Sequence, residues 1–365
     1  MATRLAYYRA DDMEPPLRIL AGKSAFEHLQ SRGLALDDFD VFVAAAGGTK
    51  FLMLGGLDRV LFSELARTRR QRPLHCVGAS IGSFRLACLA ARDSGAALER
   101  LAAAYLGVRD LRRARRRHLS HLARTLVGTV LGDDAARIVD HPAFRLHILT
   151  SRCRGLAASE RPTLLVAGLG FAAAANFVSR RALGLQLTRV AFHSRGEPGP
   201  LSALTDFPTE HAALTAENLP SVLTASAAIP FLVRGVSIPG AKGPHRDAAL
   251  TDYHPVLPFE RSAGLVLYPH FHPHLVPGWF DRSLERRLAR GNVLDRTVLL
   301  APSESFIATL PSGRHPSRRD VTDFTDDERR RRWTAVWNAG TTLGDALAEI
   351  LASPRRARDA LAPLP

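Results

Sequence analysis

The sequence predicts an α/β fold in which a mostly parallel central sheet is flanked by helices. Two apolar stretches, 40–46 and the start of 74–84, are separated by a helical pattern over 51–72, and parallel strands require such a crossover. Further strand patterns follow at 145–151, 187–193 and 297–301. With 365 residues and 46% hydrophobic content, the chain can bury a large core, so we expect one elaborated domain.

The remaining segments divide the chain into three parts. Residues 1–37 are predicted to be an N-terminal extension with a short helix, and 38–325 to be the α/β domain. Helical insertions in this domain lie near 94–142 and 157–186. Residues 326–365 are expected to form a helix packed on the domain, followed by a frayed tail from Ser353 onward. The side chains predicted to face inward from this helix are Trp333, Val336, Trp337, Leu343 and Leu347.

The stretch 74–84, LHCVGASIGSF, predicts a nucleophile elbow. A serine between glycines at this spacing lies on a strained strand-to-helix turn, where Gly78 and Gly82 remove side chains that would clash. The turn exposes the Ser80 hydroxyl, and the following helix N-terminus places N–H groups where negative charge develops during acyl transfer. Ser80 is therefore the candidate nucleophile. A glycine-bounded turn without chemistry is the alternative that this motif alone leaves open.

A glycine-rich loop, AGGTK at 46–50, follows the first of these strands. The backbone N–H groups of such a loop can converge on an anion. The spacing GxxxxGK[ST] is absent, which argues against a nucleotide site. An oxyanion hole needs a second set of N–H groups beside the elbow, and this loop supplies one. An ordinary turn is the alternative.

Four motifs, in their order and spacing, resemble the patatin-like phospholipases over roughly residues 38–260. They are AGGTK at 46–50, GASIG at 78–82, ASAAIP at 225–230 and RDAAL at 246–250. The resemblance implies a patatin-like α/β fold with a catalytic dyad of Ser80 and Asp247. It places the oxyanion hole at Gly47, Gly48 and Thr49, with Lys50 at the basic position of the family. It also implies hydrolysis of ester bonds in phospholipids or related acyl lipids through an acyl-serine intermediate, without a metal or cofactor.

The sequence departs from the family pattern around both catalytic motifs. Ala46 and Phe51 replace the first and last glycines of the oxyanion loop, and Asp247 is followed by Ala-Ala instead of Gly-Gly. Asp252, in TDYHP, is a rival for the catalytic carboxylate. We favour Asp247 because it follows a predicted strand at 236–238 and a short polar turn, a placement from which a base can face an elbow.

The charge of the chain favours an anionic partner. The formal charge of +14 comes from 49 Lys and Arg against 35 Asp and Glu. No basic-aromatic nucleic-acid module is recognisable, so an anionic lipid surface is favoured over nucleic acid. A helical pattern around 109–124 sets arginines opposite Leu111, Leu119, Leu122 and Leu126. This pattern is typical of a helix that lies on an anionic bilayer, and a helical cap packed on its own protein is the alternative.

Three other features bear on the compartment. Residues 163–178 carry no charge but are too short to span a bilayer, and we expect a buried core helix instead of a membrane-penetrating hairpin or lid. The first 20 residues include three acidic residues and no continuous apolar core, which argues against a cleaved secretory signal. The 3 cysteines lack CxxC spacing, which fits a reducing compartment. These features predict a cytoplasmic protein, peripheral on the membrane where it binds lipid.

Other functions remain compatible with the sequence. One is a Ser-His-Asp α/β-hydrolase that uses Ser80 with one of the 14 histidines as base. Another is a basic peripheral membrane protein that keeps the fold without turnover. A zinc site is conceivable because His270, His272 and His274 alternate as on one face of a strand. Pro273 disrupts that strand and no carboxylate or cysteine partner is placed by spacing, so a strand end with surface histidines is favoured.

Overall fold

One mixed sheet forms the centre of the protein. The computed structural model describes residues 14–112, 116–196, 198–258 and 263–364, without the side chains of Arg117, His118 and Ala203. Residues 1–13 of the predicted extension and 113–115 of the predicted basic helix therefore lie outside the described residues. Over the described residues the strands are β1 Leu17–Ala21, β2 Phe39–Ala44, β3 Leu74–Ala79, β4 Phe144–Cys153, β5 Leu187–Ser194, β6 Thr209–Leu214, β7 His245–Arg246, β8 Leu265–Pro269, β9 Thr297–Pro302 and β10 Leu361–Pro363.

The strand order places the predicted motifs side by side. It is β10-β1-β9-β8-β2-β3-β4-β5-β6, with β7 paired to β4. The strands β9, β8, β2, β3 and β4 run parallel to one another, whereas β1 and β5 are antiparallel to their inner neighbours. The predicted α/β class with a mostly parallel sheet is thus confirmed. Because the carboxyl ends of parallel strands meet at one edge, the loops that follow β2 and β3 are neighbours.

Helices flank this sheet. They are α1 Lys23–Arg32, α2 Gly55–Arg67, α3 Ile81–Leu89, α4 Ser94–Leu106, α5 Arg116–Leu131, α6 Ala135–Val139, α7 Pro162–Val178, α8 Leu219–Ser226, α9 Glu304–Thr309, α10 Asp320–Asp323, α11 Asp326–Leu351 and α12 Pro354–Asp359. The five side chains predicted to face inward from α11 are buried. This helix packs closely on α2, since a Cβ on Gly56 would lie 1.9 Å from the Gly340 carbonyl oxygen.

The two ends of the chain differ from the prediction, because both enter the sheet. β1, in the predicted extension, pairs with β9 and β10, with Ile19 opposite Leu300 and Leu361. The tail predicted to fray forms α12 and β10 instead. Ser353 caps α12, since its hydroxyl accepts a hydrogen bond from the Arg356 N–H. These short strands are stabilised by pairing between the two chain ends, which no local pattern reveals.

The first helical insertion packs on the protein itself. It comprises α4, α5 and α6, and α5 contacts α3, α4 and α8. The apolar side of α5 is directed inward, with Val127, Val130 and Leu131 buried. The described part of the basic helix therefore packs on its own protein, as in the second of the two alternatives. Within the described ranges, no helix has both the length and the apolar character needed to cross a bilayer.

The prediction of a buried core helix over 163–178 is wrong. The helix exists as α7, but it lies on the surface, packed against the 3-10 helices Gly155–Ala158 and Arg180–Leu185. Its buried residues are Leu165, Gly168, Ala172 and Asn176. They form one stripe at helical spacing, and much of the remaining apolar side of the helix is exposed.

Candidate active site

Ser80 lies on a strained turn between β3 and α3, as the elbow motif predicts. Its backbone has φ 53° and ψ −126°, a region that residues other than glycine rarely occupy. The two flanking glycines permit close packing. A Cβ on Gly78 would lie 2.7 Å from the Ser83 Cα, and one on Gly82 would lie 2.0 Å from the Ala44 carbonyl oxygen. The start of α3 therefore abuts the end of β2.

Ser226 holds this turn in place, a role that the sequence did not predict. Its hydroxyl accepts a hydrogen bond from the Ser80 N–H over 2.9 Å and donates to the Leu149 carbonyl over 2.8 Å. The Ser83 hydroxyl lies 3.0 Å away, and it donates because Ser226 has already used its one proton. Ser226 belongs to the ASAAIP motif at 225–230, so that motif was the available signal.

Asp247 is the carboxylate that meets Ser80. The Ser80 hydroxyl donates to Asp247 Oδ2 over 3.1 Å, while the Ala249 N–H donates to Oδ1 over 2.8 Å. Both side chains are buried, with 7% of Ser80 and 4% of Asp247 exposed. The Asp247 backbone is held as well, since its N–H donates to the Ala228 carbonyl.

The predicted strand before Asp247 is reduced to a single bridge. Val236 and His245 exchange two backbone hydrogen bonds, both of 2.8 Å, and no longer strand forms at 236–238. Pro239 and Gly240 follow directly, and proline removes a donor that a continued ladder would need. The carboxylate is placed instead by β7, whose Arg246 pairs with Ser151 in β4.

The environment of Asp247 favours proton uptake. Burial raises its pKa to about 6, although the hydrogen bonds from Ala249 and Ser80 and the charge of Arg318 lower it in part. Among the described residues, no lysine, arginine or histidine forms an ion pair with this carboxylate. Asp247 is therefore a carboxylate whose proton affinity is shifted toward neutral pH.

The loop after β2 carries N–H groups that have no acceptor among the described residues. Gly48 and Thr49 begin the 3-10 helix Gly48–Leu54, in which the first internal bond runs from the Lys50 N–H to the Gly47 carbonyl over 3.3 Å. The N–H groups of Gly48 and Thr49 thus have no acceptor inside the helix. Gly47 N–H has none within the described chain either. Gly48 has φ 54°, which glycine adopts without strain.

This loop lies next to the elbow. Ala44 is opposite Gly78 in the pairing of β2 with β3, so the two strands end side by side. A Cβ on Gly47 would lie 2.4 Å from the Phe271 ring, which leaves no room for a larger residue. The predicted residues Gly47, Gly48 and Thr49 therefore present, at the edge of the sheet that carries Ser80, N–H groups that no described residue accepts from.

Lys50 extends the same loop as a half-buried cation. Its Nζ donates to the Tyr253 hydroxyl over 3.4 Å and lies 5.1 Å from the centre of the Phe271 ring. Burial and the charges of Arg282 and Arg318 lower the pKa of Lys50 to about 8. In the portion of the chain that is described, none of these three cations forms an ion pair with a carboxylate. Arg318 also acts on the charge of Asp247, so this group of cations lies within electrostatic reach of the dyad.

Asp252, the rival carboxylate, is bound elsewhere. Arg189 donates to both of its oxygens, from Nε over 2.8 Å and from Nη2 over 2.6 Å. Arg180 lies 3.5 Å from the same carboxylate. Both the Asp252 and Arg189 side chains are fully buried. The structure thus brings Asp247, and not Asp252, to Ser80.

The histidines do not join the dyad. In the described chain, no hydrogen bond connects Ser80 or Asp247 to a histidine. His193, which the sequence left without a role, is bonded to His147 and His211 at 2.8 Å each, in a row across β4, β5 and β6. A Ser-His-Asp arrangement around Ser80 is therefore absent from the described residues.

The predicted surface histidines that follow β8 are only partly at the surface, since His270 is fully buried and His274 is exposed. His270 Nδ1 lies within hydrogen-bond distance of the backbone of His272, and the rings of His272 and His274 stack 5.3 Å apart. Over the residues described, no group of three or more histidine, cysteine or carboxylate side chains could hold a metal ion. Cys76, Cys88 and Cys153 are free and buried.

The site unites a strained serine, a buried carboxylate and free backbone donors at one edge of the sheet. Comparison of the sequence with known proteins found no match, either to a family model or to a curated protein.

Proposed function

We propose that the protein is a serine acyl hydrolase that cleaves ester bonds of phospholipids or related acyl lipids. The observation that carries this proposal is the contact of 3.1 Å between the Ser80 hydroxyl and Asp247 Oδ2. In this proposal Ser80 is the nucleophile and Asp247 its general base, since a nucleophile and the base that activates it lie within hydrogen-bond distance of each other. The resemblance of four ordered motifs to patatin-like phospholipases supports the same two roles and the lipid substrate.

In the first half of the proposed reaction, Ser80 Oγ attacks the ester carbonyl carbon while Asp247 takes the hydroxyl proton. The carbonyl oxygen becomes an oxyanion, and the N–H groups of Gly47, Gly48 and Thr49 are the candidate donors that stabilise it. Cleavage of the bond to the alcohol then leaves an acyl-serine, and Asp247 returns its proton to the departing alkoxide.

In the second half, water replaces the alcohol. Asp247 removes a proton from the water molecule as its oxygen attacks the acyl carbon, and the same N–H groups hold the second oxyanion. The fatty acid leaves as the bond to Ser80 breaks, and the proton on Asp247 returns to Ser80 Oγ. The raised pKa of Asp247 suits this role, because a base with a pKa of about 6 accepts a proton more readily than an ordinary aspartate.

The cations near the dyad support the proposal that the substrate is an acyl lipid with an anionic head group. Lys50, Arg282 and Arg318 interact electrostatically with one another, without a carboxylate partner in the described chain. A phosphate is the anion that such a group of cations attracts in a phospholipid. No step of the proposed reaction requires a metal ion.

The nucleophile is tested by covalent labelling with a fluorophosphonate, followed by mass spectrometry of the labelled peptide. We expect the label on Ser80 and its complete loss in Ser80→Ala. Ser83→Ala is the matched control, because Ser83 is buried in the first turn of α3, three residues after Ser80, and is bonded to Ser226. Labelling that persists in Ser80→Ala would show that Ser80 is not the nucleophile. Release of fatty acid from phosphatidylglycerol tests the substrate class.

A further inference from the structure

The outward side of α7 is an exposed helix face without charge. No charged residue occurs in Pro162–Val178, although the helix lies on the surface. Four of its large apolar side chains are exposed to about half or more of their area: Val166 58%, Phe171 49%, Phe177 57% and Val178 83%. A surface helix of a globular protein is ordinarily polar on the side away from the core. This helix is apolar on both sides.

Exposed apolar residues are concentrated around this helix. Leu156 and Leu185, on the 3-10 helices before and after α7, are 44% and 61% exposed. We call these two residues, together with Val166, Phe171, Phe177 and Val178, the α7 surface. In the described part of the chain, every exposed large apolar side chain lies within 156–185 or at 231–232. Such clustering marks an interaction surface, whereas isolated exposed apolar residues are ordinary.

The exposed segment Phe231–Leu232 lies between the α7 surface and the dyad. Gly235 N–H donates to Glu160 Oε1 over 2.9 Å, so the Phe231–Leu232 turn lies near the start of α7. Phe231 has φ 69°, which is strained for a residue with a side chain, yet the side chain is 40% exposed. Three residues earlier, the Ala228 carbonyl binds the Asp247 N–H. Three residues span at most about 11 Å, so Phe231 is exposed close to the proposed catalytic base.

Positive charge borders the α7 surface. Arg161 and Arg181 flank the two ends of the helix, and Arg286 lies over the Phe177 ring at 4.5 Å. All three side chains are exposed, and none forms an ion pair within the described residues. Glu160 is the one acidic residue in 154–187, and it is paired with Arg116 and Arg246. An apolar face with a cationic border complements a bilayer whose lipids carry negative head groups.

We propose that the α7 surface and the Phe231–Leu232 turn dock on an anionic lipid bilayer, with α7 lying in the plane of the interface. The helix has 17 residues and is therefore about 25 Å long, too short to cross the hydrocarbon core. Its apolar face enters the acyl region while the arginines contact lipid phosphates. Delivery of lipid esters to Ser80 by this docking rests on the proposed function, but the docking itself does not.

A bilayer fits this surface better than a second copy of the chain. In a two-fold dimer the same surface meets itself, so the borders that contain Arg161, Arg181 and Arg286 would face each other. Like charges at this contact are destabilising. The formal charge of +14 acts in the same direction over the whole molecule, since it opposes self-association and favours an anionic surface.

Co-sedimentation of the full chain with vesicles tests the proposal. The vesicles contain equal parts of phosphatidylglycerol and phosphatidylcholine, with phosphatidylcholine alone for comparison. We expect the unmodified protein to bind preferentially to the anionic vesicles. The affinity for these vesicles should fall at least tenfold in Phe171→Ser/Val178→Ser. The binding of Arg161→Gln/Arg181→Gln should depend less on salt than that of the unmodified protein. The matched charge control is Arg124→Gln/Arg137→Gln, two exposed arginines on α5 and α6, which should bind more tightly than Arg161→Gln/Arg181→Gln.

The outcomes separate docking from catalysis. Ser80→Ala should retain vesicle binding, and Phe171→Ser/Val178→Ser should retain hydrolysis of a water-soluble ester and its melting temperature. Unchanged affinity in Phe171→Ser/Val178→Ser would overturn the proposal. The proposal would also be overturned if the unmodified protein did not bind vesicles but formed a dimer, detected by light scattering, that Phe171→Ser/Val178→Ser does not form. The α7 surface would then be assigned to contact with a second copy of the chain.

Discussion

Two buried aspartates only five residues apart in sequence differ in every contact they make. Asp247 accepts hydrogen bonds from a serine hydroxyl and a backbone N–H, and it has no cationic partner in the described chain. Asp252 is bound through both oxygens by the buried guanidinium of Arg189. Among the described residues, the region around Asp247 supplies no ion-pair partner for its carboxylate. The region around Asp252 supplies Arg189.

This difference separates the proposed general base from a carboxylate that is held in an ion pair. Burial without a counter-charge destabilises the ionised form, so the pKa of Asp247 rises and the group becomes a better proton acceptor. The Asp252 carboxylate, in contrast, shares two short hydrogen bonds with the Arg189 guanidinium, which occupies both of its oxygens. Residue type and burial are the same in both regions, so the counter-charge decides the role.

The largest effect is expected on catalysis at the first of these two residues. Asp247→Asn should reduce turnover of a soluble ester by about 10²–10⁴-fold, because the amide cannot accept the Ser80 proton. The melting temperature confirms that the variant folds. Asp345→Asn, at an exposed position on α11, controls for loss of a carboxylate and should retain activity. Near-normal turnover by Asp247→Asn would place the general base elsewhere.

The second effect is on folding, at the other aspartate. Asp252→Asn should lower the free energy of unfolding by about 3–4 kcal/mol, since removing one partner of a buried ion pair leaves the other charge uncompensated. We expect a value near the lower end of what breaking a buried ion pair costs, because Arg189 retains Asp206 as an ion-pair partner. Arg189 Nη1 donates to Asp206 over 2.7 Å. Urea unfolding measures the change. If Asp252→Asn has the same free energy of unfolding as the unmodified protein but no turnover, Asp252 and not Asp247 is the carboxylate needed for catalysis.

The third effect is a pH-dependent gain in stability. The pKa of Asp247 is raised from its ordinary value of 3.8 to about 6, so between these pH values the native state binds more protons than the unfolded state. Ionisation of Asp247 therefore removes stability as pH rises from about 4 to about 6. Asp247→Asn avoids this loss and should be more stable than the unmodified protein by roughly 2–3 kcal/mol above pH 6.

Urea unfolding of both proteins across this pH range measures the difference. The stability difference should be small near pH 4 and reach its full value above pH 6, and Asp345→Asn should show no such step. A difference that stays constant from pH 4 to pH 7 would mean that Asp247 is not the group that burial has shifted.

Part of this comparison could be predicted from the sequence, because part of it is local. The spacing of Gly78, Ser80 and Gly82 defines a turn that only small residues can form, and the strand before it and the helix after it have their own patterns. The structure places Ser80 on that turn with φ 53°. Local geometry also sufficed for the loop after β2, where Gly48 adopts a positive φ.

The assignment between Asp247 and Asp252 needed the tertiary structure. The two are only five residues apart, and the sequence favoured Asp247 through a strand that forms only one bridge. The contact with Ser80 depends on the pairing of β7 with β4, and the neutralisation of Asp252 depends on Arg189 in β5. Ser226 was overlooked for the same reason, since its partners are distant in sequence.

The sequence by itself determined the alternation of strands and helices, the elbow and the glycine-rich loop, since these follow from side-chain periodicity and backbone sterics within a few residues. Only the tertiary structure decided which surfaces are covered. The charge-free sequence of α7 predicts burial, yet nothing in the described chain covers its outer face, while β1 and β10 pair across almost the whole length of the chain. Burial and strand pairing depend on residues far away in sequence, so no local pattern specifies them.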